Sequence, residues 1–375
     1  GWCHMGFLAK LKQFLPPSSR SFHAMYREMV ESNWIVKDTG LKLYDMDYQF
    51  NARLDRLERQ IATHDTHLKM LAWANYRRAG ESLDDAKRRF FHDLPQATGA
   101  SRLLQLATLQ LLSEFDALCK EHHLDYWASC GTVLGAVRHG GFVPWDDDID
   151  LGMFREDLLK LIAAVEESER YRVTVIYDRW FMCRQVRFRY LDDSLPCFLD
   201  LFIYDYTKTA DVELVERRHF EMRDRLEAEA TSSPAVAHWT HDNASISADD
   251  EQARPIRELF DRYLAEQQSG EGLMLPTAKG AQGMAWAVDN MEDRCGRRWR
   301  VCSLDEAFPM TSLDFEGRQI PVLRNYEVFL DELYGDYLSL PVDINGHDIV
   351  HLDEGVLDAP ETLSALEHLV SGAGE

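Results

Sequence analysis

"GTVLGAVRHGGFVPWDDDIDLGM", residues 131–153, sets a glycine-rich turn shortly ahead of four aspartates, Asp146, Asp147, Asp148 and Asp150, in five positions. Three readings compete for this acidic run. A calcium loop starting at Asp146 needs Gly at its sixth position and a bidentate Glu at its twelfth, but Leu151 and Asp157 stand there. A solvated acidic turn conflicts with the flanking Phe142, Val143, Trp145, Ile149, Leu151 and Met153, which are too apolar for an exposed loop. In the third reading residues 148–151 form a strand, whose period of two sends Asp148 and Asp150 to one face and Ile149 and Leu151 into a core. Two carboxylates on one rigid strand repel unless a cation lies between them. Hard oxygen ligands favour Mg²⁺ or Mn²⁺, which bridge to substrate phosphates.

Metal-assisted phosphoryl chemistry also calls for a third carboxylate and a phosphate cradle. Asp200 stands in "CFLDLFIYD" (197–205), where it shares a strand face with Phe198 and Phe202; alone, such an acid is as readily a structural ion-pair partner. Gly131 and Thr132 follow "YWASC" and precede "VLGAV", a strand, tight turn and helix whose first amides and Thr hydroxyl suit a phosphate. Asp146 and Asp147 extend the acidic run, Asp146 as a further candidate ligand.

Composition bounds the class of protein. The 375 residues, 45% hydrophobic, are enough for a sizeable core. With 41 basic against 64 acidic residues, net charge −23, the chain repels a phosphate backbone, so nucleic acid is not an expected partner. Seven scattered cysteines without a CxxC pair indicate neither a disulfide framework nor structural zinc, and fit reduced thiols in a cytoplasm. The sequence shows neither a secretory signal nor an apolar run long enough to span a bilayer. Gly1 to His4 reads as an expression remnant before Met5.

Periodicity then divides the chain. Residues 7–15 set Phe7, Leu8, Leu11, Phe14 and Leu15 on one helical face opposite Lys10 and Lys12, suited to peripheral membrane contact or to packing on protein. From 43 to 71 a heptad runs through Leu43, Phe50, Leu57, His64 and Leu71 with Leu54, Ile61 and Leu68 between them, interrupted at Asp47. It predicts a short coiled coil and a homo-oligomer, an amphipathic helix folded on its own domain being the alternative. Helix is expected over 103–123, 256–268, 280–290 and 327–341, the last halted at Gly335 and Pro341. Strands are expected over 171–178, 183–191 and 197–205, with Arg184, Arg187 and Arg189 on one face of the second and Gln185 on the other. Residues 228–255 are small, polar and aperiodic and read as a flexible insertion. The resulting division is a helical extension (1–95), a catalytic domain (96–345) and a C-terminal tail (346–375).

"YWASCGTVLGAVRHGGFVPWDDDIDLGM" resembles the signature of the LicD family, bacterial phosphocholine transferases related to fukutin and the fukutin-related ribitol-phosphate transferases; "FLDLFIYD" and the FP, FEG and YGDY elements of residues 308–337 extend the likeness. The resemblance implies an α/β (α+β) fold: a nucleotidyltransferase-like twisted mixed sheet flanked by helices. It implies Asp148, Asp150 and Asp200 as carboxylates for Mg²⁺ (or Mn²⁺), and Gly131 and Thr132 as the phosphate turn. Arg138 and His139 are then expected at the donor diphosphate, unless Arg138 pairs with an aspartate, and Arg187 either holds the donor or is solvated. The implied reaction passes a phospho-alcohol from a CDP-linked donor to a glycan hydroxyl with release of CMP, Asp200 taking the hydroxyl proton. CDP-choline is favoured on the aromatics Trp145, Tyr190, Phe198, Tyr204 and Tyr206 with Asp205; CDP-ribitol or CDP-glycerol is the alternative, on Arg187, Arg189, Asp192 and Asp193. A reading of different class is an inactive scaffold that binds a glycan or a partner. The implied location is the cytoplasm, on or near the inner face of the plasma membrane.

Overall fold

Strand β5 (Phe198–Thr207) is buried along nearly its whole length, as its mostly apolar and aromatic run demands, with Asp200 and Asp205 as buried exceptions, and the sheet is built around it. The computed structural model describes residues 20–179, 182–241, 245–290, 301–339 and 355–372; within 20–76, side chains are described for 27–33, 49–54 and 56–76. The chain divides into two units, residues 1–80 and 81–375. In its described residues the first contains helix α1 (Arg20–Tyr76), 57 residues long.

The second unit opens with α2 (Leu83–His92), capped by the Ser82 side chain, and α3 (Gly99–His122). Phe91 of α2 is fully buried, so the body begins at Glu81 and not at residue 96 as the sequence division had it. Strand β1 (Tyr126–Ala128) leads through α4 (Cys130–His139) to β2 (Ile149–Phe154), α5 (Arg155–Val165), β3 (Tyr171–Asp178), β4 (Cys183–Tyr190) and β5. After β5 come α6 (Val212–Ser232), β6 (Ser245–Ser247), α7 (Arg254–Gln267), β7 (Met274–Leu275), β8 (Gly283–Trp286) and β9 (Val301–Ser303). The hairpin β10 (Thr311–Phe315) and β11 (Arg318–Val322), then α8 (Tyr326–Tyr334) and α9 (Pro360–Gly372), follow.

Among the described residues these strands make one twisted mixed sheet in the order β10-β11-β1-β2-β5-β4-β3-β6, with β7 and β8 on the last residues of β5 and β9 on β8. β2 runs parallel to β5 and antiparallel to β1, while β4 is antiparallel to β5. Helix α3 supplies the largest apolar face to the main core: Leu104, Leu111 and Phe115 are buried, and Phe115 meets Phe188 of β4 edge-on at 5.0 Å.

Three sequence expectations are corrected here. In its described parts, 228–241 and 245–255, the expected flexible insertion is ordered: α6 continues to Ser232, and Val236, Trp239 and Ala253 are buried in a separate core with Tyr177 and Phe260, the Trp239 indole N–H donating to the Tyr177 carbonyl at 3.1 Å. These three anchors are spaced along polar chain in a pattern without helical or strand period. Within 280–290 the expected helix is replaced by β8, buried at all four residues against β5. The C-terminal tail carries α9, whose Leu366 is fully buried in the main core. Pro341 and the apolar face of residues 7–15 lie outside the described residues.

Candidate functional site

The site is assembled by strand register. In the parallel ladder Asp150 is the partner of Asp200, and in the antiparallel one Asp200 is the partner of Arg187. Partners in a ladder share a face, so Asp150, Asp200 and Arg187 point the same way. Asp148 joins them from the residue just before β2, and one carboxylate oxygen of each of Asp148, Asp150 and Asp200 lies within 4.8 Å of the others. Asp146 and Asp147 form a second such group with Asp148.

The Asp150 and Asp200 carboxylates are held by groups on neighbouring elements. The Gly131 amide donates to Asp150 Oδ2 at 2.8 Å, and the Asp150 amide donates to Thr132 Oγ1 at 2.8 Å. The glycine-threonine turn therefore braces the acidic strand as well as opening α4. Cys130, in the left-handed region at φ 37°, makes the bend that aims this amide. A Cβ on Gly131 would stand 3.0 Å from Asp146 Oδ2 and 3.1 Å from Asp150 Oδ2, so only glycine leaves the space between those two carboxylates open. Asp200 accepts from Arg187 Nε at 2.9 Å and from Gln185 Nε2 at 3.2 Å, and the Arg187 guanidinium lies 3.8 Å above the Phe198 ring.

Electrostatically the cluster carries more negative charge than Arg187 offsets. Burial, and then the charges of Asp150, Asp146, Asp200 and Asp147, push the Asp148 carboxyl well above the usual carboxylate range. Hard oxygen donors brought this close, two of them buried and one half-buried, beside a space bordered by Gly131, are of the kind that suits a divalent cation.

The other expected residues are placed differently. Arg138 and His139 end α4, at the opposite end from Gly131. Arg138 Nε donates to the Tyr337 carbonyl and its guanidinium lies 4.5 Å over the Phe91 ring, while His139 Nδ1 bonds the Phe91 carbonyl at 2.8 Å. Both side chains are thus committed to fastening α4 to α2 and to the segment after α8. The arginines of β4 do not share a face: Gln185 and Arg187 reach Asp200, whereas Arg184 turns the other way to Asp289 at 2.6 Å and Asp261 at 2.5 Å. Arg155 joins that buried network through Asp205, at 2.8 Å, and Asp289, which takes Asp205 away from any role beside an aromatic cage. Arg172 and Arg189 both pair with Asp193. Of the five aromatics, Tyr190, Phe198, Tyr204 and Tyr206 are buried, and Trp145 alone is half-buried, in a cleft with Thr98, Ser101, Asp146 and Asp147.

Three supporting residues were not foreseen. Glu316 accepts from the Phe142 amide at 3.2 Å and from Arg102 at 3.1 and 2.7 Å, and a Cβ on Gly141 would stand 2.4 Å from its Oε1. Gln105, buried on the apolar face of α3, donates to the Asp146 carbonyl at 2.9 Å. Together they hold the loop that delivers the aspartates. A glutamine among the leucines of residues 103–112 is the signal that sequence alone offered.

The fold and site define an α/β domain whose mixed sheet presents three clustered carboxylates beside a glycine-threonine turn. Within that class the chain carries a LicD-family domain: residues 123–231 match the sequence model described as LicD/FKTN/FKRP, nucleotidyltransferase domain. The chain is similar to the lipopolysaccharide cholinephosphotransferase LicD of Haemophilus influenzae, 26% identical over 262 residues, covering 63% of this chain and 91% of that protein. It is also similar to an uncharacterized protein of Rickettsia prowazekii, 37% identical over 81 residues (21% of this chain, 30% of that protein). A shorter likeness, 54% over 33 residues, links it to the human ribitol 5-phosphate transferase FKRP (9% of this chain, 7% of that protein). The chain is an enzyme of the LicD type, a phosphotransferase.

Proposed function

We propose that this phosphotransferase passes a phospho-alcohol, phosphocholine in preference to ribitol or glycerol phosphate, from a CDP-linked donor to a hydroxyl of a cell-surface glycan, with CMP as leaving group. The observation that carries the reading is the convergence of Asp148, Asp150 and Asp200 within 4.8 Å. A Mg²⁺ or Mn²⁺ ion held by these three would draw in the anionic donor and offset charge on the departing CMP. The residues of the chain set the rest: Gly131 and Thr132 fix Asp150, Arg187 and Gln185 fix Asp200, and Glu316 with Gln105 fixes the loop between. Asp200, the base the sequence reading favours, accepts hydrogen bonds on both oxygens, from Arg187 and Gln185, which hold it in place and temper its basicity towards the acceptor's proton.

The preference for choline rests on Trp145, an accessible aromatic face beside the Asp146 and Asp147 carboxylates, which is the combination a quaternary ammonium calls for. The polyol alternative loses support because Arg189 and Asp193 pair with each other. The name of the Haemophilus relative, a cholinephosphotransferase, agrees with the first reading and that of FKRP with the second. A cytoplasmic location is supported by cysteine usage: Cys119 and Cys197 are buried thiols outside any disulfide. Among the described residues no helix is long and apolar enough to cross a membrane.

The test offers CDP-choline, CDP-ribitol and CDP-glycerol separately, with a glycan acceptor and Mg²⁺, and measures CMP. CDP-choline should turn over fastest, EDTA should stop the reaction, and Asp150→Ala should abolish it without unfolding the chain. Trp145→Ala should raise KM for CDP-choline about tenfold. Turnover of a polyol donor alone removes the phosphocholine assignment; no CMP from any donor favours the inactive-scaffold reading.

A further inference from the structure

Helix α1 exposes a continuous apolar seam. Phe50, Leu54, Leu57, Ile61, Leu68 and Leu71 are between 40% and 67% exposed, spaced alternately four and three residues apart, with exposed His64 completing the repeat. Spacing of that kind keeps one stripe facing a partner helix along a coiled coil, with Leu54, Ile61 and Leu68 at one core position and Phe50, Leu57, His64 and Leu71 at the other. A single helix that leaves such a stripe in water forgoes most of the burial that stabilises helices in proteins.

The charges beside the seam say what covers it. Arg53, Gln60 and His67 flank one edge and Asn51, Glu58 and Asp65 the other, all exposed. When two copies lie parallel and in register, each flanking residue faces the one five positions on in the second copy. Arg53 then meets Glu58, and Gln60 meets Asp65, on both sides of the pair. An antiparallel pair that keeps the seam continuous instead sets Glu58 against Asp65 of the second copy, twice, a like-charge arrangement that disfavours it. Asp65 also pairs with Lys69 along its own helix at 2.8 Å, which leaves Arg53 and Glu58 as the stronger determinants of direction.

We infer that the chain associates as a parallel, in-register homodimer through residues 50–71 of α1, with the two His64 side chains facing each other in its core. That histidine is a polar break in an otherwise apolar seam, and it weakens the pair while fixing its register.

The test uses the full-length chain. Sedimentation velocity should show a species of twice the chain's mass. Ile61→Asp should weaken association at least about tenfold, and His64→Leu should tighten it by a similar factor. Arg53→Glu and Glu58→Arg should each weaken it, and the double variant should restore it. Ile61→Cys, oxidised, should yield a peptide linked from residue 61 to residue 61, identified by mass spectrometry. A monomer at all concentrations overturns the inference, as when the apolar face of residues 7–15 covers the seam within one chain. So does a dimer that forms no 61-to-61 link, or one whose double charge swap fails to recover.

Discussion

Asp148→Asn offers a test in which stability and activity move in opposite directions. In the metal-free protein Asp148 is buried, 6% exposed, with the Asp150 and Asp200 carboxylate oxygens within 4.8 Å. At that separation and an effective dielectric constant of about 20, each pair of like charges costs about 3 kcal/mol. Partial protonation and the Arg187 counter-charge reduce the total, so removing one charge should stabilise the metal-free fold by roughly 1 to 3 kcal/mol. The gain depends on pH with a definite sign. A carboxyl raised by burial is protonated more readily in the folded than in the unfolded chain, so its penalty is absent below the ordinary carboxylate range and grows as pH rises above it. Asparagine should therefore raise Tm in EDTA more at about pH 8 than at about pH 5. Mg²⁺ should stabilise the parent and leave the variant nearly unmoved, while transfer in the variant falls by three orders of magnitude or more, on the order of 4 kcal/mol of lost transition-state stabilisation. A variant that is less stable than the parent in EDTA, or a parent whose Tm ignores Mg²⁺, refutes the charge argument.

Two further substitutions test the supporting structure. Glu316→Ala strands Arg102 and the Phe142 amide, whose partner is only 7% exposed, and should cost about 2 to 4 kcal/mol by urea unfolding. Because Glu316 holds the loop carrying the aspartates, kcat should also fall about tenfold; a lower stability with kcat intact would separate the loop from the chemistry. His139 is half-buried and neutral, its pKa pushed down to about 4 by desolvation against a partial opposing effect of its hydrogen bond to the Phe91 carbonyl. Its contribution is complete above the unfolded value near 6.5 and is lost as pH falls towards about 4, by at most about 3 kcal/mol. His139→Asn should flatten the stability profile across that interval, and an unchanged slope would assign the acid sensitivity to the fully buried His219 instead.

How far the sequence could be read depended on whether a residue's surroundings were local. Strands β3 and β4 were legible almost to the residue because their alternation and flanking turns lie within eight positions, and Asp148, Asp150 and Asp200 converge as the strand period required. Illegible were partnerships made across the fold. Arg184 and Arg187 stand three apart and so on opposite faces, which strand parity alone contains; that Arg184 meets Asp289 depends on a segment a hundred residues away. Arg138 and His139 resemble a basic pair poised for phosphate, yet the length of α4 carries them to the far end of a ten-residue helix. Val236, Trp239 and Ala253 are buried anchors with polar chain between them, and anchors spaced so irregularly leave no periodic trace.

The pairing of Asp150 with Asp200 across β2 and β5 has a kinetic consequence. Fifty residues separate the two, and the carboxylates come together only when the parallel ladder has formed in its native register; a slip by one residue would turn one of them to the opposite side of the sheet. Long-range parallel pairing closes late, after its loop-closure entropy has been met. A cation gripped by both strands would thus find no site in the early chain. It would leave the refolding rate nearly unchanged and slow unfolding, acting as a latch on an already folded sheet and not as a nucleus for it.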